Sequence, residues 1–182
     1  MKDQKITFKY ISAGIGAVLF TWLIHEFTHW LTSELLGFEA VMRLNSVYSV
    51  KGQNPTELHR AIISISGPII TILQGLIAFL VLKSRDWNKY LYPLLFTAFY
   101  MRLLAGIMNF INVNDEGRVG EYLGIGIVSL PIIVSGLLFY LVYRISKQHS
   151  LNWKFQLGTY LIAMVVSSIL ILSDQFFGIR IL

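Results

Sequence analysis

Apolar residues run through this chain in blocks that are long and almost free of charge. Residues 61–82, 122–143 and 155–172 carry no Asp, Glu, Lys or Arg, and residues 90–111 carry one, Arg102. Residues 10–36 are apolar up to a polar interruption at His25 and continue beyond it. About twenty apolar residues cross the hydrocarbon core of a bilayer. The pattern therefore predicts five transmembrane helices. No connection is long enough for a soluble domain, and no repeat or low-complexity tract appears. The expected fold class is all-α: a polytopic membrane protein whose residues 1–182 form one integral membrane domain, with a core at 10–117 and additional helices at 118–182.

The period changes between the first two blocks. Phe38, Ala40, Met42 and Leu44 alternate with Glu39, Val41 and Arg43, Asn45-Ser46 interrupts, and Val47–Val50 is rich in β-branched and aromatic residues. This reads as a short β-hairpin over residues 38–50. Gly37 is placed to cap the first helix. Asn54-Pro55-Thr56-Glu57 reads as the start of the second, with Asn54 as cap and Pro55 as its first residue. Gly67-Pro68 inside the second block marks a kink or a close-packing point. Trp87, Tyr90, Tyr92, Tyr140, Tyr143 and Trp153 flank the blocks as interface anchors.

The first block has two faces. At about 100° per residue, Thr21, Thr28, His29 and Thr32 share the face of His25, with Glu26 and Ser33 at its edge. Leu19, Phe20, Leu23, Phe27, Trp30 and Leu31 lie opposite. A polar stripe on a membrane helix must face a bundle interior or a wet cavity, and ionisable residues there are costly and commonly functional.

That stripe carries His25-Glu26-Phe27-Thr28-His29, an HExxH pattern. Residues four apart share a helix face, so both imidazoles can reach one ion. Imidazole suits Zn²⁺, and Glu26 is placed as the general base for the attacking water. The competing reading is two histidines packed in a helical core. A catalytic zinc site takes three protein ligands. With five alternating helices, the end of the third returns to the side of His25 and His29. Asp115 is then the expected third ligand, with Glu116 and Glu121 as competitors. The competing reading of Asp115 is a cap for the next helix.

The motifs His25–His29, Gly67-Pro68 and Asn114-Asp115-Glu116-Gly117 resemble, in this order, those of the site-2 protease family of intramembrane zinc metalloproteases. The resemblance spans residues 10–117. It implies one Zn²⁺ per chain on His25, His29 and Asp115, with Glu26 as catalytic base. It also implies a membrane-embedded protein substrate, cleaved in or near its spanning segment. The family's asparagine three residues after Gly-Pro is Thr71 here, so Thr71, Gln74 or Asn109 is expected to stabilise the oxyanion. The proline before the aspartate is missing, and Glu116 separates Asp115 from Gly117. No accessory domain is present, so regulation would come from partner membrane chains. Two other classes remain in view. One is a non-catalytic zinc-binding membrane protein acting through partner helices. The other is a membrane zincin of the prenyl-protein protease type, which would call on Glu121.

Composition narrows the rest. The 182 residues are 55% hydrophobic and 14% charged, and mean hydropathy is +0.63. Without cysteine, disulfides and thiolate metal sites are excluded. The net charge of +5 is spread over loops and lines no helix face, which argues against a nucleic-acid partner. Lys2, Lys5 and Lys9 before an apolar run imitate a signal peptide, but no small-residue cleavage site follows. One set of loops holds nine basic residues: Lys2, Lys5, Lys9, Lys83, Arg85, Lys89, Arg144, Lys147 and Lys154. The other holds five: Arg43, Lys51, Arg60, Arg118 and Arg180. The positive-inside rule puts the first set in the cytoplasm of a multi-pass protein, expected in the cell membrane. The family's usual topology is the reverse. Arg102 is expected to pair with a carboxylate or to snorkel. His59 is an interface or substrate-side residue, and His149 is expected in a solvated loop. The hairpin offers an edge to which an extended substrate segment could add as a strand, and an ordinary interfacial loop is the equal alternative.

Overall fold

The computed structural model describes residues 3–84 and 86–182. Lys2 and Arg85, two of the nine basic residues counted above, lie outside the described residues. The chain is mostly helical: α1 (Phe8–Leu35), α2 (Glu57–Ser84), α3 (Tyr92–Met108), α4 (Asp115–Tyr122), α5 (Ser129–Gln148) and α6 (Trp153–Phe177). Strands β1 (Ala40–Met42) and β2 (Val47–Ser49) form an antiparallel pair after α1. Helices α1, α2, α5 and α6 are long and apolar enough to cross a membrane. The expected third span is apolar but only 17 residues long.

Local chemistry sets the boundaries. Thr7 caps α1 by accepting from the Tyr10 N–H. At the other end Gly37 takes φ +84°, and Phe38 N and Gly37 N donate to the carbonyls of Ser33 and Glu34. This is the double closure of a Schellman motif, and it turns the chain into the hairpin. Helix α2 starts two residues later than Asn54 would place it. Thr56 Oγ1 receives the His59 N–H, so Thr56 is the cap and Pro55 precedes the helix. The fourth apolar block is divided. Its first residue, Tyr122, ends α4, and α5 begins only at Ser129 because Gly124 and Gly126 adopt φ +71° and +81°. Residue 120 packs so tightly on the Gly126 carbonyl that only glycine fits there.

The hairpin is more deeply buried than its alternation implied. All three residues of β1 are buried, Val41 included. The C-terminal residues cover its second edge: Met42 N donates to Leu182 O at 3.0 Å and Ile181 N to Met42 O at 2.8 Å, and Arg43 bridges Arg180. The turn is pinned by Trp22 Nε1 on Asn45 Oδ1 at 2.7 Å and by Ser46 Oγ on Asp174 Oδ2 at 3.2 Å.

The opposite end gathers the N-terminal segment and the α2–α3 and α5–α6 loops. Lys89 Nζ meets Asp3 Oδ2 and the Lys5 carbonyl, both at 2.8 Å, and Gln4 reaches Asn152 and Ser150. The Lys89 ammonium beside Asp3 holds that carboxyl below its ordinary range. Two expectations fail here. Tyr92 is fully buried and bonds Ser146 across the bundle, so it is no interface anchor. His149 is 3% exposed, with Nε2 3.0 Å from the Leu82 carbonyl and its ring against Trp87, so it is not solvated. Tyr10, Leu95, Leu138, Ile145 and Phe155 form the tightest part of the core.

Candidate metal centre

The polar stripe of α1 turns inward. Thr21, His25, Glu26, His29 and Ser33 are buried, while Leu19, Phe20, Phe27 and Leu31 are exposed on the other face. Helix α2 crosses against the stripe at Gly67, where a Cβ would overlap the imidazoles of His25 and His29. Helix α4 brings Asp115 to the same point.

Three ligand atoms converge. His25 Nε2 and His29 Nε2 are 3.1 Å apart, and Asp115 Oδ2 lies 3.2 Å from the first and 3.3 Å from the second. The groups behind them decide which atoms carry protons. His29 Nδ1 is 2.6 Å from the Ile63 carbonyl, which only accepts, so Nδ1 carries the hydrogen. Thr71 Oγ1 donates to the Gly67 carbonyl at 3.0 Å, leaving a lone pair for the His25 Nδ1–H at 3.2 Å. Both Nε2 lone pairs therefore face the carboxylate. Three acceptors pointed at one another repel unless a cation lies between them. A tetrahedral ion with bonds of about 2 Å has ligand–ligand edges of roughly 3.3 Å, close to those found. The residues fit a metal ion, held by His25, His29 and Asp115.

Each imidazole gives its Nδ1–H to a fixed acceptor, His29 to the Ile63 carbonyl and His25 to Thr71 Oγ1, as metal-ligating imidazoles commonly do. On the carboxylate side, Arg118 Nη1 lies 3.7 Å from Asp115 Oδ1 and Arg102 Nη1 lies 4.0 Å from Oδ2. Arg102 is 2% exposed and pairs with the fully buried Glu116 at 3.0 Å. Pairing with a carboxylate was one of the two roles expected of it. Glu116 is thus committed away from the ligand cluster, and Glu121 is exposed on α4 and makes no contact with it. Asp115 is the first residue of α4, after Asn114 at the cap.

Glu26 makes no hydrogen bond or ion pair among the described residues. Its carboxyl lines a cavity of about 660 Å³ together with His25, His29 and Asp115, walled by the hairpin turn, α2, α3, α4 and α6. The residues nominated for the oxyanion are placed elsewhere. Thr71 holds His25, Gln74 Nε2 bonds Thr21 Oγ1 and the Leu94 carbonyl, and Asn109 Oδ1 accepts from Asn114 N. None of the three lines the cavity. His59 lies outside it too, against Phe38 and Thr56. The sequence reading missed the Ile63 carbonyl, a backbone group that no residue type announces, and the part Thr71 plays. Compared with protein-family models, with curated proteins and with solved structures, the chain matches none of them.

Proposed function

We propose that this chain is an intramembrane zinc metalloprotease, resembling the site-2 protease family, that hydrolyses a peptide bond in or near a membrane-spanning segment of a substrate protein. The observation that carries this reading is the convergence of His25 Nε2, His29 Nε2 and Asp115 Oδ2 in one cavity with an unpartnered Glu26. A site that only held a metal would need no free carboxylate beside it, which disfavours a non-catalytic zinc protein. Nitrogen and carboxylate donors in this number suit a catalytic Zn²⁺. Four long apolar helices and the apolar α3 support a multi-pass membrane protein.

When bound, zinc supplies a Lewis acid that polarises the scissile carbonyl and acidifies water. Glu26 removes a proton from the attacking water as its oxygen bonds to the carbonyl carbon and the π pair moves to the carbonyl oxygen. Glu26 then delivers that proton to the departing nitrogen as the C–N bond breaks, and the carboxylate is restored. Thr71 and Ile63 fix the imidazole tautomers, so the ligand set is preorganised. Ile171, Leu172 and Met108 give the cavity an apolar side that accepts an unwound segment of a membrane helix.

The test uses purified protein in detergent and a single-span synthetic peptide with a fluorophore and quencher at its ends. Glu26→Gln is expected to keep one equivalent of zinc and lose cleavage by about 10²–10⁴-fold. His25→Ala is expected to lose both. Wild-type protein without metal, or full turnover in Glu26→Gln, would reject the reading.

A further inference from the structure

We propose that Arg102 is a catalytic residue whose guanidinium stabilises the negative charge developing on the scissile carbonyl oxygen. This rests on the proteolytic reading of the cavity. Arg102 lines that cavity from α3 and is 2% exposed. Its Nη1 is 4.0 Å from Asp115 Oδ2, the oxygen that also faces both imidazoles. A permanent positive charge thus stands one carboxylate away from the candidate metal centre.

The ion pair with Glu116 engages one corner of the guanidinium. Nη1 makes the 3.0 Å contact. Nε is fully buried without a partner among the described residues, and so is Glu116 Oε2. Nη2 makes no hydrogen bond there either, but unlike Nε it is not fully buried. A charged donor that keeps surface beside a reaction cavity and has no acceptor in the chain points to an acceptor supplied from outside. Of the rival donors, Thr71 and Gln74 are occupied as above and Asn114 Nδ2 bonds the Ala105 carbonyl at 3.0 Å, while Asn109 Nδ2 has no partner among the described residues but lies outside the cavity. Arg118 is half exposed, where solvent screens it.

During attack the carbonyl π pair becomes an oxygen lone pair, and Nη2 donates to that oxygen. Charge-assisted bonds strengthen as the charge grows, so they favour the tetrahedral state over the planar amide. Collapse returns the pair to the C–O bond as C–N breaks, with the proton coming from Glu26. Arg102 transfers no proton.

The rival explanation is that Arg102 only neutralises Glu116. The double variant R102M/E116M removes both charges and keeps apolar volume, a change that buried pairs often tolerate. The probes are an apolar peptide phosphonamidate, tetrahedral and anionic, and the neutral carboxamide of the same sequence. Titration calorimetry on zinc-loaded protein in detergent gives both affinities. The double variant should keep its zinc, weaken phosphonamidate binding by roughly tenfold or more, and leave the carboxamide unchanged. On the fluorogenic peptide its kcat should fall with KM unmoved. R102Q, which keeps a hydrogen-bond partner for Glu116 without the charge, should lose the same selectivity and serves if the double variant does not fold. Wild-type phosphonamidate affinity in either folded variant overturns the role of Arg102. If His25→Ala loses phosphonamidate binding while those variants keep it, only this role falls. If the wild-type protein does not bind it, or His25→Ala binds equally well, the proteolytic reading falls with it.

Discussion

Gly67 lies so close to His29 that a methyl group on residue 67 would overlap the imidazole Nε2, the atom that faces Asp115. The glycine before Pro68 therefore does more than loosen a helix. It lets α2 approach the histidines of α1 without entering the space between the ligands. Gly67→Ala must push an imidazole off its position, so zinc content should fall at least about tenfold and stability by about 1–3 kcal/mol. Gly16→Ala, on the same bundle with nothing near its added carbon, should keep full metal content. Metal analysis and thermal unfolding of the two variants check this.

Thr71 is a support for His25, and its variants should behave accordingly. Thr71→Val keeps the volume but removes the oxygen that receives the Nδ1–H. Zinc affinity should drop by about 10–100-fold, whereas kcat measured at saturating zinc should change little. Thr71→Ser should bind zinc like the wild type. A Thr71→Val protein with normal zinc affinity and a collapsed kcat would return the residue to an oxyanion role.

The three acidic residues of α4 should separate by signature. Asp115→Ala should empty the site while the bundle stays folded. Glu121→Ala, on an exposed face, should change neither. Glu116→Ala should behave differently from both, because it strands the buried Arg102 guanidinium. Removing one partner of such a pair costs about 3–5 kcal/mol, so this variant should unfold at lower temperature and lose zinc as a consequence. Metal retention and melting temperature, measured together, resolve the three cases.

The parts of this architecture that were readable in advance are those carried by local spacing. An uncharged run of some twenty residues admits few solutions besides a helix, and His25 and His29 four apart on a polar stripe define their own face. Asp115 followed from the order of the helices. What escaped depends on side-chain direction and on backbone groups. Hydropathy gives Gly124 and Gly126 no special weight, so the late start of α5 was invisible. Tyr92 and His149 occupy sequence positions typical of an interface, yet their elements turn them into the core. The Ile63 carbonyl and the strand made by residues 180–182 on β1 are main-chain features with no residue signature. The lone charge of Arg102 announced that it needed a partner, but only the return of α4 identified Glu116.

The two loop clusters predict the side of a membrane on which the candidate site opens. Asp3, Gln4, Lys5, Lys89, Ser150 and Asn152 meet at one end of the bundle, while β1, β2 and residues 180–182 meet at the other, next to His29 and Asp115. Among the described residues, the segments of the first end carry seven of the loop basic residues, Lys5, Lys9, Lys83, Lys89, Arg144, Lys147 and Lys154, and those of the second carry five. By the positive-inside rule the candidate metal centre is expected on the extracytoplasmic side, opposite to the usual orientation of the family its motifs resemble. The chain has no cysteine, so single cysteines report its topology directly. Ser46 is a poor position for one, because it lines the cavity and bonds Asp174. Asn54 is exposed at the site end and Ser84 at the other. In intact cells a membrane-impermeant maleimide should label Asn54→Cys and spare Ser84→Cys, with both reacting after the membrane is opened. Labelling of Ser84→Cys alone would invert the topology and restore agreement with the family, and it would leave the ligand geometry of His25, His29 and Asp115 unchanged.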